Sequence, residues 1–159
     1  MIIRHAKAET AFTLNDFERP LNERGKNDAA GMAKRLLGKK IKIDAFVSSP
    51  AIRAKQTAEL FAATYDTKKN DIILLSSLYH AASEVFFEVI AQLDDQLSRV
   101  AIFAHNPGIT HFVNDLGPPE KIDNMPTCAI FSVQANVDKW IAFGKAKKEF
   151  LFFDYPKNI

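Results

Sequence analysis

The segment Ile2-Ile3-Arg4-His5-Ala6-Lys7 begins the chain with a short apolar run that ends in an adjacent arginine and histidine. If Ile2 and Ile3 lie in a buried strand, Arg4 and His5 follow at its carboxyl end, where open α/β sheets place their ligand crevices. A neutral imidazole can attack phosphorus, and a guanidinium can hold phosphoryl oxygens through paired donors. Taken alone, such a pair is more often an exposed polar pair after a strand, so the interpretation depends on later stretches.

A second apolar run, Ile43 to Val47, leads into Ser48-Ser49-Pro50. This pattern predicts a buried parallel strand followed by a helix over about 50–65, with Ser49 as its N-cap and Pro50 at the first helical position, where the missing N–H costs nothing. Arg53 then falls in the first turn of the helix. A surface position would suit an arginine there, but a helix N-terminus already attracts anions and a guanidinium strengthens that attraction.

The clearest strand is Val100-Ala101-Ile102-Phe103-Ala104, and His105 follows it directly. Arg4, His5, Arg53 and His105 therefore come from the ends of three predicted strands. Because the carboxyl ends of parallel strands share one edge of a sheet, we expect these side chains to converge. Two imidazoles and two guanidiniums without an acidic residue describe a pocket for a multiply charged anion, of which phosphate is the first candidate.

The rest of the chain alternates between helical and extended patterns. Apolar residues at helical spacing after Asn22, a predicted N-cap, indicate a helix up to Leu37, and Ser83 is predicted to cap another helix. Residues 8–19 have the pattern of an irregular loop. Further strands are predicted at 72–75, 128–133, 140–143 and 150–153, and a short helix ends near Asp115. This order predicts an α/β fold: a single three-layer domain, with a mostly parallel central sheet and helices on both faces.

Composition places the chain among ordinary globular proteins. It has 159 residues, 47% hydrophobic and 25% charged, which fits a single domain over residues 1–159. The net charge of +2 gives no bulk attraction to nucleic acid or membranes, so neither is expected as a partner. The single cysteine, Cys128, is expected to be buried and cannot form an intramolecular disulfide. No signal peptide or membrane-length apolar run is recognised, so a cytoplasmic location is expected.

Four ordered motifs resemble those of a known family. They are Arg4-His5-Ala6, the segment RPLNERG from Arg19 to Gly25, the segment SSPAIRAKQTA from Ser48 to Ala58, and Ala104-His105-Asn106-Pro107. Together they are similar to the signatures of the histidine phosphatase superfamily, and more closely to its small SixA-like phosphohistidine phosphatase branch. The resemblance covers nearly the whole chain and implies a phosphoglycerate mutase-like fold.

The resemblance also implies catalytic roles for the four strand-end residues. His5 would be the nucleophile that becomes transiently phosphorylated, Arg4 and Arg53 would bind the phosphoryl group, and His105 would donate to the transferring oxygens. Two further residues are candidates for substrate binding. Arg19 lies in a family-like motif, although a loop-anchoring salt bridge suits it equally well, and His80 lies in a connector that could overhang the pocket.

Two departures from the family's pattern bear on the chemistry. Ala6 replaces the glycine that usually follows the nucleophile, a form that SixA-like members share. The glutamate-containing motif of the mutase and acid phosphatase branches has no equivalent around residues 78–86, where Glu84 is better explained as a complement to a helix dipole. Without a general acid, a phosphoramidate is the favoured substrate, because it releases neutral imidazole whereas an ester must expel an alkoxide.

No metal and no cofactor are expected at this site. His5, His105 and His111 could in principle form a metal site, but no carboxylate or cysteine at suitable spacing supports one. His111 is predicted to have a packing or surface role instead.

These features predict a metal-independent phosphatase that works through a phosphohistidine intermediate. Its substrate is expected to be a histidine-phosphorylated protein, such as a phosphorelay domain, because no large insertion after Arg53 supplies a cap over the pocket. Two alternatives are a hydrolase of small phosphorylated molecules and a phosphate-binding module without catalysis. The presence of both histidines and both arginines argues against the module, which has no use for a nucleophile.

Overall fold

The computed structural model of the protein describes residues 1–10 and 15–158. These residues form one six-stranded sheet with helices between the strands. The strands are β1 (Ile2–Arg4), β2 (Ala45–Ser48), β3 (Ile73–Leu74), β4 (Val100–Ala104), β5 (Ile130–Gln134) and β6 (Glu149–Asp154). The α-helices are α1 (Glu23–Gly38), α2 (Ile52–Thr64), α3 (Ser83–Ala91) and α4 (Gly108–Asp115). An α-helix therefore separates each of the first four strands from the next.

The sheet is mostly parallel, with the strand order β3-β2-β4-β1-β5-β6. β3, β2, β4 and β1 run parallel to one another, and β5 pairs antiparallel with both β1 and β6. In register, Ile2 lies opposite Ile102 and Arg4 lies opposite Ala104. The carboxyl ends of β2, β4 and β1 therefore lie side by side at one edge of the sheet.

Helices cover both faces of the sheet. On one face Ile3 lies in a core with Met32 of α1 and Phe61 of α2. On the other face Ile2 lies in a core with Phe86 of α3 and with residues of α4. Successive strand residues point to opposite faces, so the two neighbouring isoleucines supply both cores. The predicted three-layer α/β fold is confirmed.

The predicted start of α2 is wrong. The helix begins at Ile52 rather than at Pro50, and its N-cap residue makes no side-chain hydrogen bond. The hydroxyl oxygen of Ser49, the predicted cap, lies instead 2.8 Å from Nε2 of His105. The Ser49 side chain, which the local sequence pattern predicts to cap the helix, thus pairs with His105, a residue distant in sequence.

The predicted caps of α1 and α3 differ in outcome. Asn22 caps α1, since its Oδ1 accepts a hydrogen bond from Gly25 N at 2.8 Å. Ser83 falls inside α3 instead of capping it, and its hydroxyl donates to the Asp115 carboxylate of α4. The prediction for Ser83 is therefore wrong because the side chain ties two helices together.

The structure differs most from the sequence prediction in the shorter elements. Trp140–Ala142 forms a 3₁₀ helix instead of a strand, because Trp140 Nε1 donates to Leu97 O at 2.9 Å and Trp140 N donates to Asp95 Oδ1 at 2.8 Å. The strand predicted at 72–75 is reduced to the two residues of β3. The predicted loop at 8–19 contains a 3₁₀ turn, Asp16–Glu18, and residues 11–14 of this loop lie outside the described residues. None of the described helices is long and apolar enough to cross a membrane.

Candidate active site

The topology brings together residues that the sequence places at separate strand ends. Arg4 ends β1 and His5 follows it, Arg53 lies in the first turn of α2, and His105 follows β4. The ring centroids of His5 and His105 are 5.1 Å apart, and Arg53 Nε lies 3.3 Å from His5 Nε2. The exposed fractions are 7% for His5, 3% for Arg53 and 4% for His105. The carboxyl edge of the sheet thus holds a buried cluster of two imidazoles and a guanidinium.

His5 is held as a neutral imidazole with a lone pair on Nε2. Its Nδ1 lies 2.7 Å from the carbonyl oxygen of Ala6, which can only accept, so the ring proton is on Nδ1. Nε2 accepts a hydrogen bond from Arg53 Nε. Burial lowers the pKa of His5 to about 3; the Ala6 hydrogen bond acts in the opposite direction, and the charges of Arg53 and Arg4 lower the pKa further. At neutral pH the ring therefore offers an unprotonated nitrogen.

The peptide that orients the His5 ring is itself anchored by α2. Ala6 N donates to Thr57 Oγ1 at 3.0 Å, and Thr57 Oγ1 donates to Arg53 O at 2.7 Å. Ala6 and Thr57 are both fully buried. Sequence reasoning did not single out Thr57, because its role depends on how α2 packs against the residues after β1.

His105 is also neutral, but its two nitrogens have different surroundings. Burial lowers the pKa of His105 to about 2, and its neighbours His5 and Arg53 lower it further. Nε2 pairs with Ser49 Oγ, whereas Nδ1 is buried and has no hydrogen-bond partner among the described residues. A ligand at the pocket could therefore satisfy this second nitrogen.

Arg4 is held by the loop before β5. One of its guanidinium nitrogens donates to the Met125 carbonyl at 2.5 Å. Met125 N in turn donates to Thr110 Oγ1 at 3.0 Å, and Thr110 Oγ1 donates to Asn106 Oδ1 at 2.6 Å. The residues that follow His105 therefore help to orient the guanidinium whose charge acts on His5.

Asp16, which sequence reasoning missed, faces the cluster from the 3₁₀ turn after β1. Its Oδ2 accepts hydrogen bonds from Arg53 Nη2 at 2.8 Å and from Tyr79 Oη at 2.9 Å, and its Oδ1 lies 3.1 Å from Arg19 Nη2. Arg53 Nη1 also donates to the Asp16 backbone carbonyl. The four predicted residues include no acid, but the structure adds the Asp16 carboxylate beside Arg53. The one sequence signal was an acid shortly before the Arg19 motif, in a loop whose path the sequence does not determine.

The Asp16 carboxyl is ionised at neutral pH. Partial desolvation acts to raise its pKa, but the hydrogen bonds from Tyr79 and Arg53, together with the charges of Arg53 and Arg19, lower the pKa below its ordinary value. The Nη1 and Nη2 groups of Arg53 thus donate to Asp16, whose carboxylate carries a negative charge.

Known proteins share both the sequence pattern and the fold around this site. Residues 1–78 match the family model of the histidine phosphatase superfamily, branch 1. A structure of the protein histidine phosphatase SixA complexed with tungstate superposes with a TM-score of 0.83 at 25% identity, covering 99% of this chain and 96% of that chain. The chain belongs to the histidine phosphatase superfamily.

Other solved members and relatives have the same architecture. A protein described as a phosphohistidine phosphatase SixA from Agrobacterium tumefaciens superposes with a TM-score of 0.81 at 24% identity, covering 98% of this chain and 96% of that chain. A mycobacterial glucosyl-3-phosphoglycerate phosphatase in complex with VO3 gives a TM-score of 0.70 at 15% identity, covering 94% of this chain and 95% of that chain. No curated protein sequence matches the chain. Membership of the histidine phosphatase superfamily supports the assignment of the protein as a phosphatase. It does not identify the substrate.

Within this histidine phosphatase fold, the two predicted substrate-binding residues lie around Asp16. Arg19 pairs with Asp16 and donates to Glu9 O at 3.4 Å, which is a loop-anchoring arrangement. His80 Nε2 lies 3.8 Å from Asp16 Oδ2, and its side chain is 60% exposed. The His80 ring centroid lies 6.5 Å from that of His105. The substrate contacts of both residues stay predictions.

The remaining candidates lie apart from the histidine phosphatase site. His111 is exposed on α4, and Glu84 is exposed in the first turn of α3. Burial raises the pKa of the Cys128 thiol above its ordinary value, so this side chain is a packing residue and not a nucleophile. Within residues 1–10 and 15–158, no group of three or more histidine, cysteine, aspartate or glutamate side chains is arranged to hold a metal ion.

Proposed function

We propose that the protein, as a single histidine phosphatase domain over residues 1–159, hydrolyses phosphohistidine in proteins through a phosphohistidine intermediate on His5. The observation that carries this proposal is the state of the His5 ring. Its Nδ1 proton is committed to Ala6 O, its Nε2 lone pair faces Arg53, and its pKa is about 3. A residue that only binds phosphate needs no such lone pair, whereas a nucleophile does.

The reaction proceeds in two displacements at phosphorus. The Nε2 lone pair of His5 attacks, an Nε2–P bond forms, and the bond from phosphorus to the substrate nitrogen breaks. The substrate imidazole, protonated on its other nitrogen, departs as a neutral ring. Water then attacks the phosphorylated His5, which releases inorganic phosphate and returns the lone pair to Nε2. Arg4 and Arg53 offset the charge on the phosphoryl oxygens in both steps.

The charge state of Asp16 favours a phosphorus–nitrogen bond in the substrate. A departing alkoxide needs a proton from a general acid, a contribution of about a hundredfold to ten-thousandfold in rate. Asp16 is the carboxyl beside Arg53, and its lowered pKa leaves it without a proton to give. An imidazole leaving group has no such need.

The packing of α3 favours a protein as the substrate. The segment between α2 and β4 contains the edge strand β3 and α3, whose Phe86 and Ile90 are buried in the core. α3 therefore packs on the sheet, and this segment reaches the site only through Tyr79 and His80, whose ring centroids lie 5.6 Å and 6.5 Å from that of His105. With the exposed His80 at its rim, the site suits a phosphohistidine presented on the surface of another protein.

A small phosphoester is the second candidate substrate. The position of the Asp16 carboxyl beside Arg53 favours it. A phosphoryl dianion bound at Arg53 would repel the carboxylate and raise its pKa. The resulting carboxylic acid, beside Arg53, would then have a proton to give to an ester oxygen of the bound substrate.

Relative activity on four substrates tests the proposal. We expect kcat/KM to be highest for a phosphohistidine peptide, lower for p-nitrophenyl phosphate, and about a hundredfold or more lower still for phosphoserine and a sugar phosphate. His5→Ala should abolish turnover, and His111→Ala, which changes an exposed histidine on α4, should leave it unchanged. A sugar phosphate hydrolysed as fast as phosphohistidine would instead support the second candidate.

A further inference from the structure

Ser49 is a fully buried hydroxyl that contacts the second histidine of the site. It lies between β2 and α2 with no solvent-exposed surface, and its Oγ is 2.8 Å from His105 Nε2. The same oxygen accepts a hydrogen bond from Ala51 N at 3.3 Å. Accepting from Ala51 N uses a lone pair of this oxygen and leaves its hydroxyl proton to be donated.

The position of that proton decides which tautomer His105 adopts. Ser49 Oγ already accepts from Ala51 N, so its own proton needs an acceptor, and His105 Nε2 is the one in hydrogen-bond reach among the described residues. If Nε2 carried a proton, the Ser49 proton would be buried without an acceptor, an arrangement that proteins avoid. Ser49 therefore donates, and the ring proton of His105 lies on Nδ1.

His105 Nδ1 is the nitrogen that has no partner in the described part of the chain. His105 is 4% exposed, so bulk water does not reach this N–H to accept its hydrogen bond. A protonated ring would be costly beside Arg53 and the other imidazole, whereas a neutral N–H adds no charge. The ring centroid lies 5.1 Å from that of His5, within reach of a phosphoryl group attached to the nucleophile.

We propose that Ser49 is a positioning residue that holds His105 in the Nδ1–H tautomer and thereby presents an uncharged donor to a phosphoryl oxygen. The proposal rests on the proposed function of this site. The two histidines then have opposite tautomers. His5 donates its Nδ1–H to Ala6 O and keeps the Nε2 lone pair for attack. His105 accepts from Ser49 at Nε2 and keeps its Nδ1–H to donate to a bound oxygen.

Ser49→Ala tests the proposal, and Ser48→Ala is its matched control. Ser48 is also a fully buried hydroxyl, but it donates to the Ser49 backbone carbonyl and not to an imidazole. Nitrogen-15 NMR of the histidine side chains reports the tautomer, and titration with tungstate reports oxyanion binding. In Ser49→Ala we expect His105 to lose its preference for Nδ1–H and the tungstate Kd to rise about tenfold or more. Ser48→Ala should keep the tautomer and change the Kd less than twofold.

The wild-type spectrum decides the matter even if Ser49→Ala does not fold. A wild-type His105 with its proton on Nε2 would overturn the proposal, as would a folded Ser49→Ala protein with the wild-type tautomer and tungstate affinity. Neither readout needs turnover. A protein that shows the predicted tautomer and tungstate effects but hydrolyses no phosphoryl substrate would retain the role of Ser49 and refute the proposed function alone.

Discussion

Single hydrogen bonds determine what each charged or ionisable residue of this site can do. Ala6 O fixes the His5 tautomer, and Arg53 divides its donors between His5 Nε2 and Asp16. The sequence could predict that His5 and Arg53 follow strands, because apolar runs mark the strand ends. It could not predict Asp16, because no periodicity determines the path of the loop that carries it.

Removal of the Asp16 charge should tighten oxyanion binding. Its carboxylate pairs with Arg53, which we propose binds the phosphoryl group, and with Arg19, so Asp16→Asn removes an internal competitor for these guanidiniums. We expect the tungstate Kd to fall about tenfold, the scale of a hydrogen bond to a charged group. Calorimetric titration measures it, with Glu18→Gln as the control, because Glu18 pairs with Asn15 on the same turn. Weaker binding in Asp16→Asn would show that the carboxylate supports the bound anion.

The helices and strands differ in how far the local sequence determines them. β4 and α1 follow from a continuous apolar run and from helical spacing after Asn22, which are local signals. β3 has two residues and depends on its pairing with β2, and the Trp140 turn depends on contacts with Leu97 and Asp95. Ser49 was misjudged as a cap because its partner, His105, is distant in sequence. Elements determined by distant partners are the ones that sequence patterns predicted poorly.

Two glycines of α1 should respond in opposite ways to substitution by alanine. A Cβ at Gly25 would lie 2.0 Å from the carbonyl oxygen of Lys7, so Gly25→Ala forces α1 away from the residues that follow His5. A Cβ at Gly31 meets nothing within 4 Å, so Gly31→Ala gains helix propensity without a clash. We expect Gly25→Ala to lower the free energy of unfolding by about 1–3 kcal/mol and Gly31→Ala to raise it by about 0.5–1 kcal/mol. Urea denaturation measures both, and equal effects would contradict the close approach at Gly25.

At the scale of the whole molecule, the sheet topology determines where the candidate active site lies. β2, β4 and β1 are neighbours in the sheet and run in the same direction, so the residues after them meet at one edge. The sequence predicted this convergence because each strand is an apolar run with a polar residue at its end. The same burial that forms the pocket places two neutral histidines inside the folded protein.

The two buried histidines should make the folded state sensitive to mild acid. The pKa of His5 is lowered to about 3 and that of His105 to about 2, from an ordinary value of 6.5, so below pH 6.5 the unfolded chain binds protons that the native state does not. Stability therefore falls as the pH drops from about 6.5 toward 3, by about 1–2 kcal/mol for each histidine at pH 5.

Urea denaturation at pH 7.5 and pH 5 measures this difference. His5→Gln should lose about half of the dependence contributed by the pair. An unchanged pH dependence in His5→Gln would mean that the His5 ring is not held neutral.

In the proposed reaction, His5 carries the phosphoryl group during turnover. The most direct test is to mix the protein with a phosphohistidine peptide, quench within the first turnovers in alkali, and locate phosphate by mass spectrometry of the proteolytic fragments. We expect one acid-labile, alkali-stable phosphate on His5, absent from His5→Ala and present in His111→Ala. Turnover by His5→Ala, or phosphate found on another residue while His5 stays unmodified, would contradict it.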